Sequence, residues 1–509
     1  MRRVAGIASV LGMLGVVALA HPFGCIIDEP IDCETALVGC PTGSSSSSGT
    51  MSSTGGPANC DPTMGAVGTG CGVFVSSSTG NDTNAGTEAA PFKTLAAALT
   101  KVGAGRVYAC GEIFTETVKL TAGTTLHGAL DCANGWAYDA TKQTVLTAGA
   151  DAIPLTLTST VVGAEVLDFK IVAADSMAAG GSSIAVVVDQ ASATFTRCAL
   201  IAGNASNGTA GASGGAQAAQ APVGQNGDPA GTTGTSNGGP GGSNTTCNLP
   251  GGAGGGGGLI PNGNGQDGLP GDNGNGGAKG TGDTGMGCTD ATKGSNGMKG
   301  SSGTVTAGIG TIDGNGYHGI DGNADATDGT NGTSGGGGGG SMANPTVHGA
   351  GGGGGGAGGC AGVHGGPGTA AGSSIALVSA SASVSLVSCS LSPSKAGNGG
   401  TGGDGQFGQP GGQQGNGGAA GGGAGKGCQG GTGGDGGNGG NGSGGLGGHA
   451  LGIAATGTAP LLDAATKTAT MPGTAGSGGK GGNMDADMNH GAGGITAPCW
   501  DFSTNASCP

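Results

Sequence analysis

The charged residues best placed to do chemistry in this 509-residue chain stand in the phrase "LDFKI", where Asp168 and Lys170 are two apart. In a strand that spacing puts both on one face, and a carboxylate beside an amine is the material of general acid–base catalysis. Aligning "DFKIVA" (Asp168–Ala173) with "RCALIA" (Arg197–Ala202) brings Arg197 and Asp189 onto the next repeat. Against a catalytic role, the second copy of that phrase, Ser381–Leu391, carries no charge. A solvated strand face is the favoured reading of the pair. His127, His318, His348, His364, His449 and His490 are scattered without metal-ligand spacing, and there is no C-x-x-C pair. No metal and no other cofactor is expected.

The elements that must position these residues are short β-type phrases. "RVYAC", "ETVKL", "TTLHGAL", "TVLTAG", "PLTLTS" and "AEVLDFKIVA" follow one another with turn residues between them and no room for a helix. That pattern predicts an all-β solenoid rather than a sandwich. "GSSIAVVVDQASATFTRCAL" (Gly181–Leu200) returns as "GSSIALVSASASVSLVSCSL" (Gly372–Leu391), with a weaker echo, "GGHALGIAATGTAPLLDAA", from Gly447. The copies are expected to be successive coils, with Phe169, Cys198 and Cys389 stacked and the two cysteines close enough to bond. Cys110 and Cys132 have the spacing of a staple between neighbouring rungs, since stacked strands lie about 4.8 Å apart. Cys499 and Cys508 are a further candidate pair in a short C-terminal tail.

The stretch from Gly80 to Leu99, "GNDTNAGTEAAPFKTLAAAL", resembles the N-terminal motif of right-handed parallel β-helix proteins of the pectate-lyase-like superfamily, which leads into an Ala-rich capping helix. Together with "VYACGEIFTETVKL" and "TLHGALDCANGWAY", it is similar to glycine-rich, PGRS-like exported proteins of myxobacteria. The resemblance covers about residues 71–204. It implies a right-handed parallel β-helix, a fold shared by polysaccharide lyases and hydrolases. The lyases' carboxylate and Arg or Lys base would fall on Asp168, Lys170, Asp189 or Arg197, whereas the hydrolases' aspartate motifs are missing here.

Composition supplies the rest. There are 129 glycines, 3% aromatic and 9% charged residues, and a formal charge of −15. Few large side chains are available for a core, and the scarcity of Arg and Lys excludes nucleic acid as a partner. Residues 205–371 and 397–448 are the glycine-rich insertions, and a further Gly-rich stretch follows a coil at 449–475. From Gly427 to Gly448 every third residue is glycine, which fits three residues per turn. A bundle of polyglycine-II helices, a collagen-like assembly and plain disorder all meet that pattern, and proline is too scarce for collagen. "GGGGGGAGGC" at Gly351–Cys360 reads as the more disordered kind of run.

Residues 1–24, with two arginines, a small-apolar run and Ala18-Leu19-Ala20, form a secretory signal peptide. Cys25 then suggests lipid attachment, or the chain is freely secreted. Residues 25–70 form a Cys/Ser/Gly-rich tether. Fifteen cysteines in an exported chain predict disulfides. The expectation is a non-catalytic, exported envelope or surface protein, either an outer-membrane lipoprotein or extracellular, that meets envelope or extracellular polysaccharide. The alternative is a carbohydrate-active β-helix enzyme.

Overall fold

Strand phrases of three to seven residues, broken by turns, pair mainly by stacking on the equivalent phrases of neighbouring coils. The computed structural model describes residues 59–509 except 69, 306 and 483–488. The signal segment, Cys25 and most of the tether, with Cys33 and Cys40, lie outside the described residues. The described chain is mostly strands with few helices, arranged as three parallel sheets that it visits in rotation. Sheet 1 holds Ile113–Thr115, Thr144–Thr147, Phe169–Val172, Ala199–Ile201 and Ser390–Ser392. Sheet 2 holds Val118–Leu120, Leu155–Leu157, Ser183–Asp189, Ser374–Ala380, Ala450–Thr456 and Thr496–Asp501. Sheet 3 begins with Val73–Val75 and Arg106–Cys110 and continues through Thr125–Asp131, Ala164–Leu167, Ser192–Thr196, Ser383–Val387 and Leu461–Leu462.

Inward side chains form ladders. Phe114, Leu146, Ile171, Leu200 and Leu391 stack in sheet 1, and Leu126, Val166, Phe195 and Leu386 stack in sheet 3. All are essentially fully buried, each worth about 1.5–3 kcal/mol relative to exposure. The helix Leu95–Val102, capped by Thr94, packs Leu95 and Ala98 into this core. Gly181–Leu200 lies on Gly372–Leu391 in register, with Ser183 opposite Ser374, Ser192 opposite Ser383 and Leu200 opposite Leu391.

Every glycine insertion leaves at one corner, after a sheet 1 strand, and returns to begin a sheet 2 strand. Ile201 passes through the first insertion to Ser374, and Ser392 passes through the second to Ala450. Both faces of sheet 2 are consequently covered, which is why "SIAVVVD", "SIALVSA" and "ALGIAAT" are nearly continuous apolar runs. The hairpin Thr311–Asp313/Gly316–His318 lays Ile312 and Tyr317 against Ile184, Ile375 and Leu451 on the outer face.

The insertions themselves are rods whose backbone hydrogen bonds recur every third residue. Rod 349–371 has six neighbours: 204–230, 236–242, 252–258, 327–341, 397–418 and 428–446. Gly351 and Gly354 donate to Asp228 and Gln225, Gly352 and Gly355 to Gly255 and Gly252, and Gly353 and Gly356 to Cys428 and Gly431. Carbonyls of the same residues accept from the other three rods. A Cβ on Gly353 would fall on the carbonyl oxygen of Gly415, and one on Gly352 on that of Gly338. The "GGGGGG" run, expected to be the disordered part, is therefore the buried axis of the bundle. Along Gly351–Gly356 no lane of this rod is free for a side chain.

Glycine frequency follows coverage. Rod 291–303, at the edge, has one glycine per triplet. Rod 427–448 has two, and its third lane changes from Gln429, Thr432, Asp435, Asn438 and Asn441 to Gly444 and Gly447 where 489–492 packs on it. Two disulfides staple the bundle, Cys247–Cys360 and Cys288–Cys428. Their separations of 113 and 140 residues correspond to about 5 kcal/mol each on the chain-entropy account.

His449, fully buried, pins the second insertion's return. Its Nδ1 accepts from the Ile495 amide at 2.8 Å and its Nε2 donates to the Ile309 carbonyl at 2.6 Å. Tyr317 and Phe502 pack edge-on against the ring. Burial holds its pKa below the ordinary 6.5, outweighing the Ile309 bond. The unfolded chain then takes up the proton first, so stability is full above 6.5 and falls as pH drops towards the folded value. In acid-titrated denaturant melts, His449→Gln should be less stable at neutral pH and show a shallower acid slope. An unchanged slope would refute the assignment. Gly353→Ala should cost about 3 kcal/mol or more through backbone overlap. Gly256→Ala, whose Cβ would meet the movable end of Gln266, should cost about 0.5 kcal/mol or less.

Candidate functional site

Of the four predicted charged residues the structure brings Asp168 and Arg197 together and leaves Lys170 and Asp189 apart from them. Asp168 occupies the corner between Ala164–Leu167 and Phe169–Val172, in the left-handed region with φ +62°. The strand alternation that would align it with Lys170 is broken there. Arg197 (φ +52°) and Ser388 (φ +55°) hold the equivalent corners one and two coils on. Arg197 grips the Asp168 carboxylate in two-point fashion, Nε to Oδ1 and Nη2 to Oδ2, each 2.7 Å. The Tyr138 hydroxyl donates to Oδ1 at 3.0 Å. Asp168 is buried while the Arg197 side chain is 41% exposed. The bond to Asp168 pushes the guanidinium pKa further above its usual range, and burial followed by the same carboxylate raises that of Tyr138. Three donors occupy the carboxylate, leaving a corner clamp instead of a free base. Lys170 lies on the outer side of its strand, between inward Phe169 and Ile171.

Asp189 ends a sheet 2 strand and lines a separate polar cleft of about 710 Å³ with Thr117, Lys119, Thr156, Asp313 and Asn315. One wall is the hairpin contributed by the first insertion. His318 and the Asn315 amide hold Asp313 below the usual carboxylate range, so it stays ionised and cannot serve as a general acid near neutrality. The cleft offers hydroxyls, an amine and carboxylates suited to a hydroxyl-rich ligand. Among the described residues no group of three or more His, Cys, Asp or Glu could hold a metal ion.

Beneath the clamp, Phe169, Cys198 and Cys389 stack as the register requires, yet Cys198 and Cys389 are free thiols. This corrects the expected bridge. The reason lies in the corner's hydrogen bonds. The Cys198 thiol donates to the Val166 carbonyl and the Cys389 thiol to that of Phe195, both at 3.3 Å. The Cys198 amide donates to the Cys389 sulfur at 3.4 Å, and the Cys389 amide to Thr466 Oγ1 at 2.9 Å. Each thiol serves the coil preceding it, as a hydroxyl would, and oxidation would remove both donors. Burial also pushes the Cys198 thiol pKa well up. Cys110–Cys132, Cys499–Cys508 and Cys60–Cys71 are bonded, the first with a Cα–Cα separation of 5.6 Å.

The polar residues of the glycine lattice, which no site motif of the sequence marks, have a structural role. Where no rod covers a lane, a side chain on the adjacent rod replaces it. Asn207 Oδ1 accepts from the Asn398 amide while the Gly208 amide donates to the Asn398 carbonyl. Asn226-Gly227 holds Asn416, Asn296-Gly297 holds Asp435, and Asn398-Gly399 holds Ser477 in the same way. Between antiparallel rods threonine does this work, Thr333 for Ser295, Thr330 for Met298 and Thr327 for Ser301. The readable signal was Asn-Gly or Thr recurring every third residue.

Alkylation followed by peptide mapping should leave Cys198 and Cys389 unmodified in the native protein and modify both in denaturant without reductant. A Cys198–Cys389 disulfide peptide would refute the thiol ladder. No protein-family model, no curated protein and no solved structure matches this chain.

Proposed function

We propose that the protein is a non-catalytic, exported element of the cell envelope or surface, a right-handed parallel β-helix that carries a polyglycine-II plate and meets envelope or extracellular polysaccharide. The observation that carries this reading is the bundle: rods saturated with hydrogen bonds and bordered by amides, hydroxyls and scattered carboxylates. Such a surface is stiff and rich in groups that hydrogen-bond sugars. The right hand follows from the rule that nearly all parallel crossovers take it, and the three-residue repeat from polyglycine-II geometry. The five disulfides among the described residues are consistent with an exported or extracellular protein. No helix among the described residues is long and apolar enough to cross a membrane. Lipid attachment at Cys25 would supply the anchor.

The second reading, a polysaccharide lyase or hydrolase, draws on the cleft at Asp189. Mature protein incubated with uronate polymers, with and without calcium, is expected to release neither unsaturated nor reducing ends. It is expected to be retained on immobilised envelope polysaccharide. Ends that appear and are lost in Asp189→Ala or Asp168→Ala would overturn the non-catalytic reading, and absence of retention would overturn the adhesive one. Asp168→Ala should in any case cost only about 1–2 kcal/mol in a denaturant melt, because solvent reaches the Arg197 partner.

A further inference from the structure

Asn-Gly is the dipeptide most prone to losing its side-chain amide, and this chain carries it throughout the glycine lattice. In the reaction the glycine amide nitrogen attacks the asparagine Cγ. A C–N bond forms, the C–N bond of the carboxamide breaks, and ammonia leaves with the displaced proton. Water then opens the resulting succinimide at either carbonyl, giving aspartate or isoaspartate and one new carboxylate. Two groups must come free for this: the glycine amide and the carboxamide, which must swing onto it.

At seven of these sites the rods commit both. The amides of Gly208, Gly227, Gly297 and Gly399 donate to the carbonyls of Asn398, Asn416, Asp435 and Ser477 at 2.7–2.9 Å. The preceding carboxamides accept through Oδ1 at 2.7–3.0 Å from the amides of those same residues. Asn331, Asn438 and Asn441 are held similarly, their oxygens accepting from Ala361, Gly408 and Gly405, and their following glycines donating to Gly359, Gln406 and Gly403. Attack would require a clasp to release both bonds and the chain to leave its rod.

The loop at 271–275 is different. Asp272 and Asn273 sit in the left-handed region at φ +45° and +53°, outside any rod. Asn273 and Gly274 are exposed, the Asn273 carboxamide has no hydrogen-bond partner among the described residues, and the Gly274 amide is engaged only within the single local turn Gly271–Gly274, outside the rods. The neighbouring Asn275-Gly276 is restrained, its glycine amide donating to the Gly271 carbonyl.

We propose that Asn273 is a spontaneous modification site of the folded protein, converted to aspartate and isoaspartate through Gly274, and that the rod clasps keep Asn207, Asn226, Asn296, Asn331, Asn398, Asn438 and Asn441 chemically inert. The modified loop gains a carboxylate beside Asp272, whose Oδ2 anchors the Ser334 amide midway along rod 327–341.

The purified full chain, aged in mildly alkaline buffer, can be mapped by peptide mass with enzymatic detection of isoaspartate. The Asn273 peptide should convert about tenfold or more faster than the clasped peptides, as expected when reaction requires breaking hydrogen bonds held in the folded state. In urea all should convert at similar rates, and Asn273→Gln should remove the early isoaspartate signal while leaving the melt unchanged. Clasped asparagines that age equally fast folded and in urea would overturn the protection, and an inert Asn273 would overturn the site.

Discussion

Peptide groups removed from water must find partners, and in this chain that demand shapes nearly everything, because few side chains are large enough to share the work. In the coil the partners come from strands above and below. In the insertions they come from as many as six surrounding rods, and a glycine is needed wherever a rod approaches. The two halves of the molecule are thus two solutions to one requirement. The coil adds inward ladders of Leu, Ile, Val and Phe, whereas the bundle relies on saturation and on long-range disulfides.

The shared corner joins the two solutions. An insertion that leaves after sheet 1 and returns to sheet 2 rejoins the coil one rung further on, so the stack does not register the length of the excursion. The outer face of sheet 2 then becomes a floor for whatever the excursion builds. Ile184, Ile375 and Leu451 are core residues because residues from the excursions and the C-terminal strand, Ile312, Tyr317, Ile495 and Ala497 among them, cover them. His449, held between Ile309 and Ile495, ties two excursions together through one imidazole.

Much of the coil was legible because its signals are local or repeated. The strand phrases, the Thr94 cap and the offset between Gly181–Leu200 and Gly372–Leu391 all lie on the surface of the sequence. What failed did so at corners and in the lattice. Asp168 looked paired with Lys170 by alternation, but one left-handed residue resets the alternation and delivers the carboxylate to Arg197. Cys198 and Cys389 looked like a bridge because proximity was predicted correctly and the hydrogen-bonding role of the thiols was not visible. The run at Gly351–Gly356 looked least ordered because glycine carries no information about its neighbours. Its meaning is coordination, a property of the assembled rods.

The dependence of glycine on coverage gives the bundle something like a reading frame. Three residues added to a rod lengthen it by one turn, about 9.3 Å, and every lane keeps its neighbour. One residue added turns all that follows by a third of a circle, so that bulky residues face backbones and glycines face water. Length variation in such a domain is therefore filtered twice, once in the codons and again in the triplets of the folded chain. A rod can grow or shrink only in steps that preserve its phase.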